Sequence, residues 1–298
     1  MTAQRMARPM RSRYDACMHK LFLVLAGLAL LLAAFFGWCF REATGDPLVR
    51  RAEVALPGLA RPVRIALLSD IHIGTAAMGP ERLGRIVAQV NALKPDLVVI
   101  AGDFIFGHDP RGAAKLGPAM VGPLRQLRAP LGVAAVLGNH DYWTGPQAVR
   151  DQLARAGVTV LENDAAPRGP VALGGISDDF SGHADIAATL RAARAIGRPI
   201  VLVTHSPDVA PDLPADAHLL LAGHTHCGQV LIFGRNVAPE VSRYGTRYRC
   251  GLVREGARTV IVTAGLGTSG VPFRLGARPD VWLVTLVPPA MVRTRKAG

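Results

Sequence analysis

The 298-residue chain has four cysteines, Cys17, Cys39, Cys227 and Cys250, too few and too unevenly placed for a disulfide framework. Two of them fall in the N-terminal apolar region. The other two read as small packed thiols, although Cys227, beside His226, could act as a soft ligand or bridge to Cys250. No internal repeat and no long low-complexity stretch is present, which excludes solenoid and fibrous arrays. A recognised nucleic-acid module is lacking too, so the net charge of +12 stands alone as an argument for a basic nucleic-acid-binding protein.

What the chain does have is a run of twenty uncharged positions, residues 21–40, enough for a helix to cross a ~30 Å hydrocarbon core. It exceeds the apolar region of a cleaved signal, no small-x-small site follows it, and Gly37-Trp38 before Cys39 is a poor lipoprotein context. An uncleaved single-pass anchor is therefore expected rather than a removed signal peptide. Five basic residues precede the run, while Arg41, Arg50 and Arg51 follow it. This asymmetry favours a cytoplasmic N-terminus and a folded domain outside the cytoplasm. The organisation expected is a basic tail over 1–20, the anchor over 21–40, a linker over 41–62, one folded domain over 63–287 and a basic tail over 288–298. About +8 of the charge remains beyond the first twenty residues. It reads as a solvated Arg-rich surface, with attraction to anionic lipid or phosphate as the functional counterpart.

The domain is organised around five polar clusters, each behind a short apolar run: Asp70-Ile71-His72, Gly102-Asp103, Gly138-Asn139-His140-Asp141, His205, and Gly223-His224-Thr225-His226. Continuous branched apolar runs bounded by Gly or Pro mark strands buried on both faces. Open α/β sheets place ligands at the carboxyl ends of such strands, so one rim would gather these residues. Elsewhere, residues 81–93 have the spacing of an amphipathic helix closed by Lys94-Pro95. Residues 104–132, rich in Gly and Pro, should mix loop with one irregular helix. Helices are expected over 146–155, with Thr144 as cap, and over 185–195, capped by Asp185. Strands are expected over 171–173, 199–204, 229–233, 247–253, 259–264 and 281–287. The fold class is thus α/β, with a strand-rich second half packed on the first.

Chemistry follows from residue type and spacing. On an extended backbone, Asp70 and His72 would point the same way, as would His224 and His226, so each pair could grip one ion. Asp103 offers two oxygens and could bridge two ions; Asn139 adds an amide oxygen and His205 another imidazole. Mixed nitrogen and oxygen donors suit Zn, Mn or Fe better than Mg or Ca. Two divalent ions ~3.5–4 Å apart can share a hydroxide that attacks a phosphoryl group. His140 is placed to protonate a leaving group, and Asp141 could orient it or strengthen it as a base. His19, His108, His183 and His218 are read as non-ligands, with His108 and His183 near the rim. Arg243, Arg247 and Arg249 with Tyr244 and Tyr248 read as a solvated strand face that could meet a phosphate or lipid headgroup.

These motifs, in this order, resemble the calcineurin-like metallophosphoesterases over nearly all of residues 63–286. The resemblance implies a four-layer αββα sandwich of two mixed β-sheets flanked by helices, here preceded by one transmembrane helix. It implies a dinuclear centre with Asp70, His72 and His226 on one ion, Asn139, His205 and His224 on the other, Asp103 bridging and His140 assisting the leaving group. Thr204-His205-Ser206-Pro207-Asp208 and Gly223-His224-Thr225-His226-x-Gly228-Gln229 are similar to a membrane-anchored bacterial branch, which usually has Gly where this chain has Cys227. A bacterial inner-membrane phosphodiesterase or pyrophosphatase acting on a phosphate-containing small molecule or lipid is implied. Some relatives cleave a UDP-linked acylated glucosamine in lipid A synthesis, a substrate that would require the domain to face the cytoplasm. The competing classes are a metal-binding scaffold without turnover and the nucleic-acid binder.

Overall fold

The computed structural model describes residues 10–237 and 240–291. Its first half contains α1 (Met10–Thr44), β1 (Leu48–Ala55), β2 (Val63–Leu68), α2 (Pro80–Ala92), β3 (Leu97–Ala101), α3 (Gly112–Leu116), α4 (Pro118–Leu124), β4 (Val133–Val136), α5 (Asn139–Thr144) and α6 (Pro146–Arg155). The second half adds β5 (Thr159–Val160), β6 (Asp164–Arg168), β7 (Val171–Gly175), α7 (Ile186–Ala195), β8 (Ile200–Val203), β9 (Leu219–Ala222), β10 (Leu231–Ile232), β11 (Arg235–Asn236), β12 (Gly251–Glu255), β13 (Arg258–Val262) and β14 (Asp280–Val287).

Two mixed six-stranded sheets form, ordered β1-β14-β2-β3-β4-β5 and β12-β13-β9-β8-β7-β6. Because side chains alternate across a strand, each buried strand serves two cores. Ile65, Leu67, Leu97 and Val99 meet Val201, Val203, Leu219 and Leu221 between the sheets. Ala66, Leu68, Val98 and Ile100 turn the other way, onto Leu83, Ile86, Val87 and Val90 of α2 and onto Leu153 of α6. Leu202 and Leu220 pack outward with Leu190 of α7. Helices, sheet, sheet and helix make the four-layer αββα sandwich. Each fully buried Leu, Ile or Val contributes about 1.5–3 kcal/mol, an upper bound against a compact unfolded chain.

Several boundaries differ from the sequence reading. The stretch expected as a linker over 41–62 contains the end of α1 and all of β1, which pairs in parallel with β14 from Leu48↔Asp280 to Ala55↔Val287. The 104–132 stretch forms two short helices, separated at Gly117-Pro118. Thr144 ends α5, and Gly145 at φ 113° precedes α6 in the position expected of Thr144. Asp185 does cap α7, accepting from the Ala188 N–H at 2.8 Å. The strand expected over 247–253 begins as a 3-10 turn, Gly245–Tyr248, and becomes β12 only at Gly251. Of the expected basic tails, residues 1–9 and 292–298 lie outside the described residues.

Candidate metal centre

The parallel strands β2, β3, β4, β8 and β9 all deliver their carboxyl ends to one rim. Asp70 and His72 follow β2, Asp103 follows β3, Asn139 and His140 open α5 after β4, His205 follows β8, and His224 and His226 follow β9. The backbone there is not extended, as the alternation argument assumed. Asp70 and His72 both have φ 50°, Asp103 56°, His224 73° and His226 49°, all in the left-handed region. Each such non-glycine residue costs about 1–3 kcal/mol and persists only where its surroundings impose it. Here the Asp70 N–H donates to the Gly102 carbonyl at 2.9 Å, the His72 N–H to the Asp103 carbonyl at 3.1 Å and the Gly267 N–H to the Asp70 carbonyl at 2.7 Å. Gly138 and Gly223 have structural reasons to be glycine, since a Cβ would fall on the Asp103 carboxylate in one case and on the Ser69 hydroxyl in the other.

The side chains form two clusters sharing one carboxylate. In the first, His72 Nε2 lies 3.2 Å from His226 Nε2, and His226 Nε2 lies 3.4 Å from Asp70 Oδ1. In the second, His205 Nε2 lies 3.1 Å from Asn139 Oδ1 and 3.2 Å from His224 Nδ1. Asp103 Oδ2 stands between them, 3.4 Å from His72 Nε2 and 3.2 Å from His205 Nε2. Its Oδ1 is occupied otherwise, accepting from the His140 N–H at 3.0 Å. A single oxygen of Asp103 therefore addresses both clusters.

All of these residues are buried. Burial lowers His72 and His224 to about 3 and His226 well below its ordinary range, so the three rings are neutral. Burial pushes Asp70 up to about 6, against the opposing pull of His205. For Asp103 burial alone would raise the carboxyl, but the charge and hydrogen bond of His205 outweigh it and hold it well below the carboxylate range. Reciprocally, Asp103 holds His205 well above the imidazole range despite burial.

The donor set fits divalent cations. Asp70 Oδ1 is buried with no hydrogen-bond partner, a costly state for a carboxylate oxygen unless a cation meets it. His205 Nδ1 lies 2.6 Å from the Ala101 carbonyl and donates to it, as metal-ligating histidines commonly do, so Nε2 is the atom turned to the cluster and would offer a lone pair once a cation displaced its proton. Groups that could hold an ion include Asp70, His72 and His226, and also Asp70, Asp103 and His205.

His140 Nδ1 lies 2.9 Å from the Gly107 carbonyl, which fixes the ring and leaves Nε2 free of that bond. Asp141 does not orient that ring. Its Oδ2 accepts from the N–H groups of Asp103 and Gly138, both at 2.9 Å, and its Oδ1 from those of Phe104 and Ile105 at 2.8 and 3.2 Å. It clamps the Asp103 loop instead, and burial with the charge of Asp103 raises it to about 7.

A cavity of about 610 Å³ opens over Asp103, Asn139, His140, His224 and His226. Its remaining wall is largely apolar: Trp143, Phe180, Val230, Val237, Val241 and Val271. His108 stacks on Trp143 with centroids 4.6 Å apart and lies beside His140, at the rim as the sequence reading placed it. His183 instead stacks on Tyr142, 3.8 Å away. Arg243, Arg247 and Arg249 are each paired with a carboxylate, of Asp179, Glu255 and Glu240. Cys227 and Cys250 form a disulfide rather than packed thiols, so Cys227 is no ligand.

Two buried residues that brace the site escaped the sequence reading. Arg274 is completely buried and donates to the carbonyls of Ala264, Gly265, Gly267, Ala277 and His226. Arg82, also buried, donates to the carbonyls of Thr44, Ala77, Leu266 and Gly45. Both hold the 263–267 loop that packs on Asp70. Neither belongs to a motif, and only the interruption of the apolar helical face of α2 by Arg82 could have signalled one of them.

The calcineurin-like phosphoesterase family matches this chain over residues 63–228. The chain is 32% identical over 290 residues to a transmembrane protein with a metallophosphoesterase domain from Danio rerio, covering 88% of this chain and 62% of that protein. It thus spans less than two thirds of that relative's length. An uncharacterized metallophosphoesterase of Bacillus subtilis, YkuE, is 32% identical over 235 residues, covering 75% of this chain and 78% of its own. One from Helicobacter pylori strain 26695 is 30% identical over 278 residues, covering 90% and 71%. The family match covers more than half of the chain and ends just beyond the last of the converging motif residues, so the chain belongs to the calcineurin-like phosphoesterase family.

Proposed function

We propose that the chain is a membrane-anchored phosphoester hydrolase that uses two divalent cations to cleave a phosphodiester or pyrophosphate bond. The observation that carries this reading is Asp103 Oδ2, set between His72 and His205 at 3.4 and 3.2 Å. Asp70, His72 and His226 would hold one cation, Asn139, His205 and His224 the other, with Asp103 shared. Zn, Mn or Fe suits these donors. When bound, such cations polarise a phosphoryl oxygen and lower the pKa of a water. The chain's own residues do the rest. His140, its ring fixed by Nδ1 on Gly107, delivers a proton from Nε2 to the leaving oxygen. Asp141 keeps the Asp103 loop in register. Trp143 and Phe180 give one side of the cavity an apolar wall.

In this reading α1 is the anchor. It is long and apolar enough to cross a membrane through its uncharged run, and Cys39 and Ala43 near its end are buried in the domain, which argues against removal. The Cys227–Cys250 disulfide supports a domain outside the cytoplasm, in agreement with the charge asymmetry around the anchor. A cytoplasmic UDP-linked substrate does not fit that placement, whereas a phosphate-containing lipid or small molecule at the outer face does.

The test is hydrolysis of bis-p-nitrophenyl phosphate by the full chain in detergent with Mn or Zn. Asp103→Ala should abolish turnover, and His140→Ala should lower it about 10²–10⁴-fold. Full activity in His140→Ala would remove the proton-donor role, and no turnover by the unsubstituted chain despite bound cations would favour the scaffold reading.

A further inference from the structure

We propose that the apolar lip of the cavity, carried by the β10–β11 hairpin and Val271, docks on the bilayer that α1 crosses, so that the metal centre opens at the membrane surface. This rests on the anchor reading above.

The anchor is not a loose tether. The Cys39 carbonyl accepts from the Arg274 N–H at 3.1 Å, and the Thr44 and Gly45 carbonyls at the end of α1 accept from Arg82 at 3.0 and 3.1 Å. The direction of the helix relative to the domain is therefore set by these bonds. Phe273 gives the level. Its ring lies 5.4 Å from Phe36 and 6.5 Å from Phe40. Phe40 closes the uncharged run, and Phe36 stands four residues inside it, about 6 Å at 1.5 Å per residue. The loop carrying Phe273 thus reaches the edge of the hydrocarbon layer.

That same loop is stitched to the hairpin. Gln229 Nε2 donates to the carbonyls of Ser269 and Val271 at 2.9 and 3.0 Å, and the Leu231 N–H donates to the Leu275 carbonyl at 2.8 Å. Hairpin and loop are thus bonded to each other and, through Arg274, to the end of the anchor. Apart from Arg235, exposed on β11 where it could meet a lipid headgroup, what they display is apolar: Phe233 at the hairpin turn is 100% exposed, Val237 61%, Val271 51% and Ile232 50%. Val237 and Val271 also line the cavity, so the exposed lip and the cavity wall are one surface. A contiguous apolar lip that continues the side of a membrane helix fits lipid better than a soluble partner. An amphiphile could then present its phosphoester to the cations without leaving the bilayer.

Phe233→Trp in the full chain, reconstituted into phosphatidylcholine and phosphatidylglycerol vesicles, tests this without any hydrolysis. The added fluorescence, taken as the difference from the unsubstituted chain, should be quenched by lipids brominated near the glycerol and shielded from aqueous iodide. Trp38, 66% exposed on the anchor, reports insertion separately through the difference from Trp38→Phe. If Trp38 is quenched by bromolipid while the residue-233 signal is quenched only by iodide, the docking is overturned and the anchor stands. Iodide quenching of both overturns the anchor and the docking together. Because no turnover is read, either result leaves the hydrolase reading to its own test.

Discussion

Arg274 places its Nη2 3.2 Å from Nδ1 of His226, a guanidinium donating to an imidazole with both groups buried. A guanidinium can only donate, so Nδ1 accepts and the neutral ring carries its proton on Nε2. Nε2 is the atom that faces Asp70 Oδ1 and His72 Nε2. For Nε2 to take a cation, that proton must move to Nδ1 and the Arg274 bond must be given up, a tautomer shift that releases no net proton.

Arg274 itself is the first target. Burial lowers it to about 10, still charged at neutral pH, and five backbone carbonyls depend on it. Arg274→Met should leave buried acceptors unpaired and cost at least ~3 kcal/mol, read as a fall in Tm of the detergent-solubilised chain. Arg274→Lys, which keeps the charge but not the fork, should recover only part of it.

Ion uptake should be pH-dependent with a defined sign. Asp70, raised to about 6, and His205, raised further above its ordinary range by Asp103, hold protons that a cation must displace. Affinity therefore rises as pH climbs through about 6, where Asp70 loses its proton, and falls below it. Calorimetric Zn or Mn titrations at about pH 5.5, 6.5 and 7.5, in buffers of differing ionisation enthalpy, should show tighter binding and fewer protons released at higher pH. A flat affinity across that range would contradict the assignment.

Asp141→Asn separates a loop clamp from a base partner. The amide cannot accept four N–H bonds as the carboxylate does, so the Asp103 loop should loosen and cation affinity should fall about 10–100-fold. With saturating cation the pH profile of kcat should keep its shape, since Asp141 makes no hydrogen bond to the His140 ring. A displaced profile would restore the role first expected of it.

The Cys227–Cys250 bridge closes a separation of 23 residues beside a candidate ligand, His226. The Cys227→Ser/Cys250→Ser variant, or treatment with reductant, should destabilise the domain by about 2–4 kcal/mol. Thermal unfolding with and without reductant measures it, and the double variant should show no further response to reductant.

The seven metal-ligand candidates were legible because β2, β3, β4, β8 and β9 are buried on both faces. Each is a continuous apolar run, and its polar successors stand out against it. β1 was not legible, for the opposite reason. Leu48-Val49-Arg50-Arg51-Ala52-Glu53-Val54-Ala55 is a half-exposed edge strand whose charges resemble a linker. The left-handed backbone of Asp70 and His72 leaves no trace in residue type, so spacing suggested a strand geometry, whereas in the fold the 265–267 turn packs directly on both residues. Arg274 and Arg82 looked like surface arginines because their partners are backbone carbonyls, which any sequence supplies. Cys227 and Cys250 gave a pair without a framework, and only the fold brings them together.

The most direct test of the central claim is metal content. The full chain, loaded with Zn or Mn at pH 7.5 and freed of excess, should carry two ions by elemental analysis. Asp103→Asn should retain fewer than two and lose phosphodiester hydrolysis with them. One ion in the unsubstituted chain, or two ions and full turnover in Asp103→Asn, would contradict a centre built around the shared oxygen of Asp103.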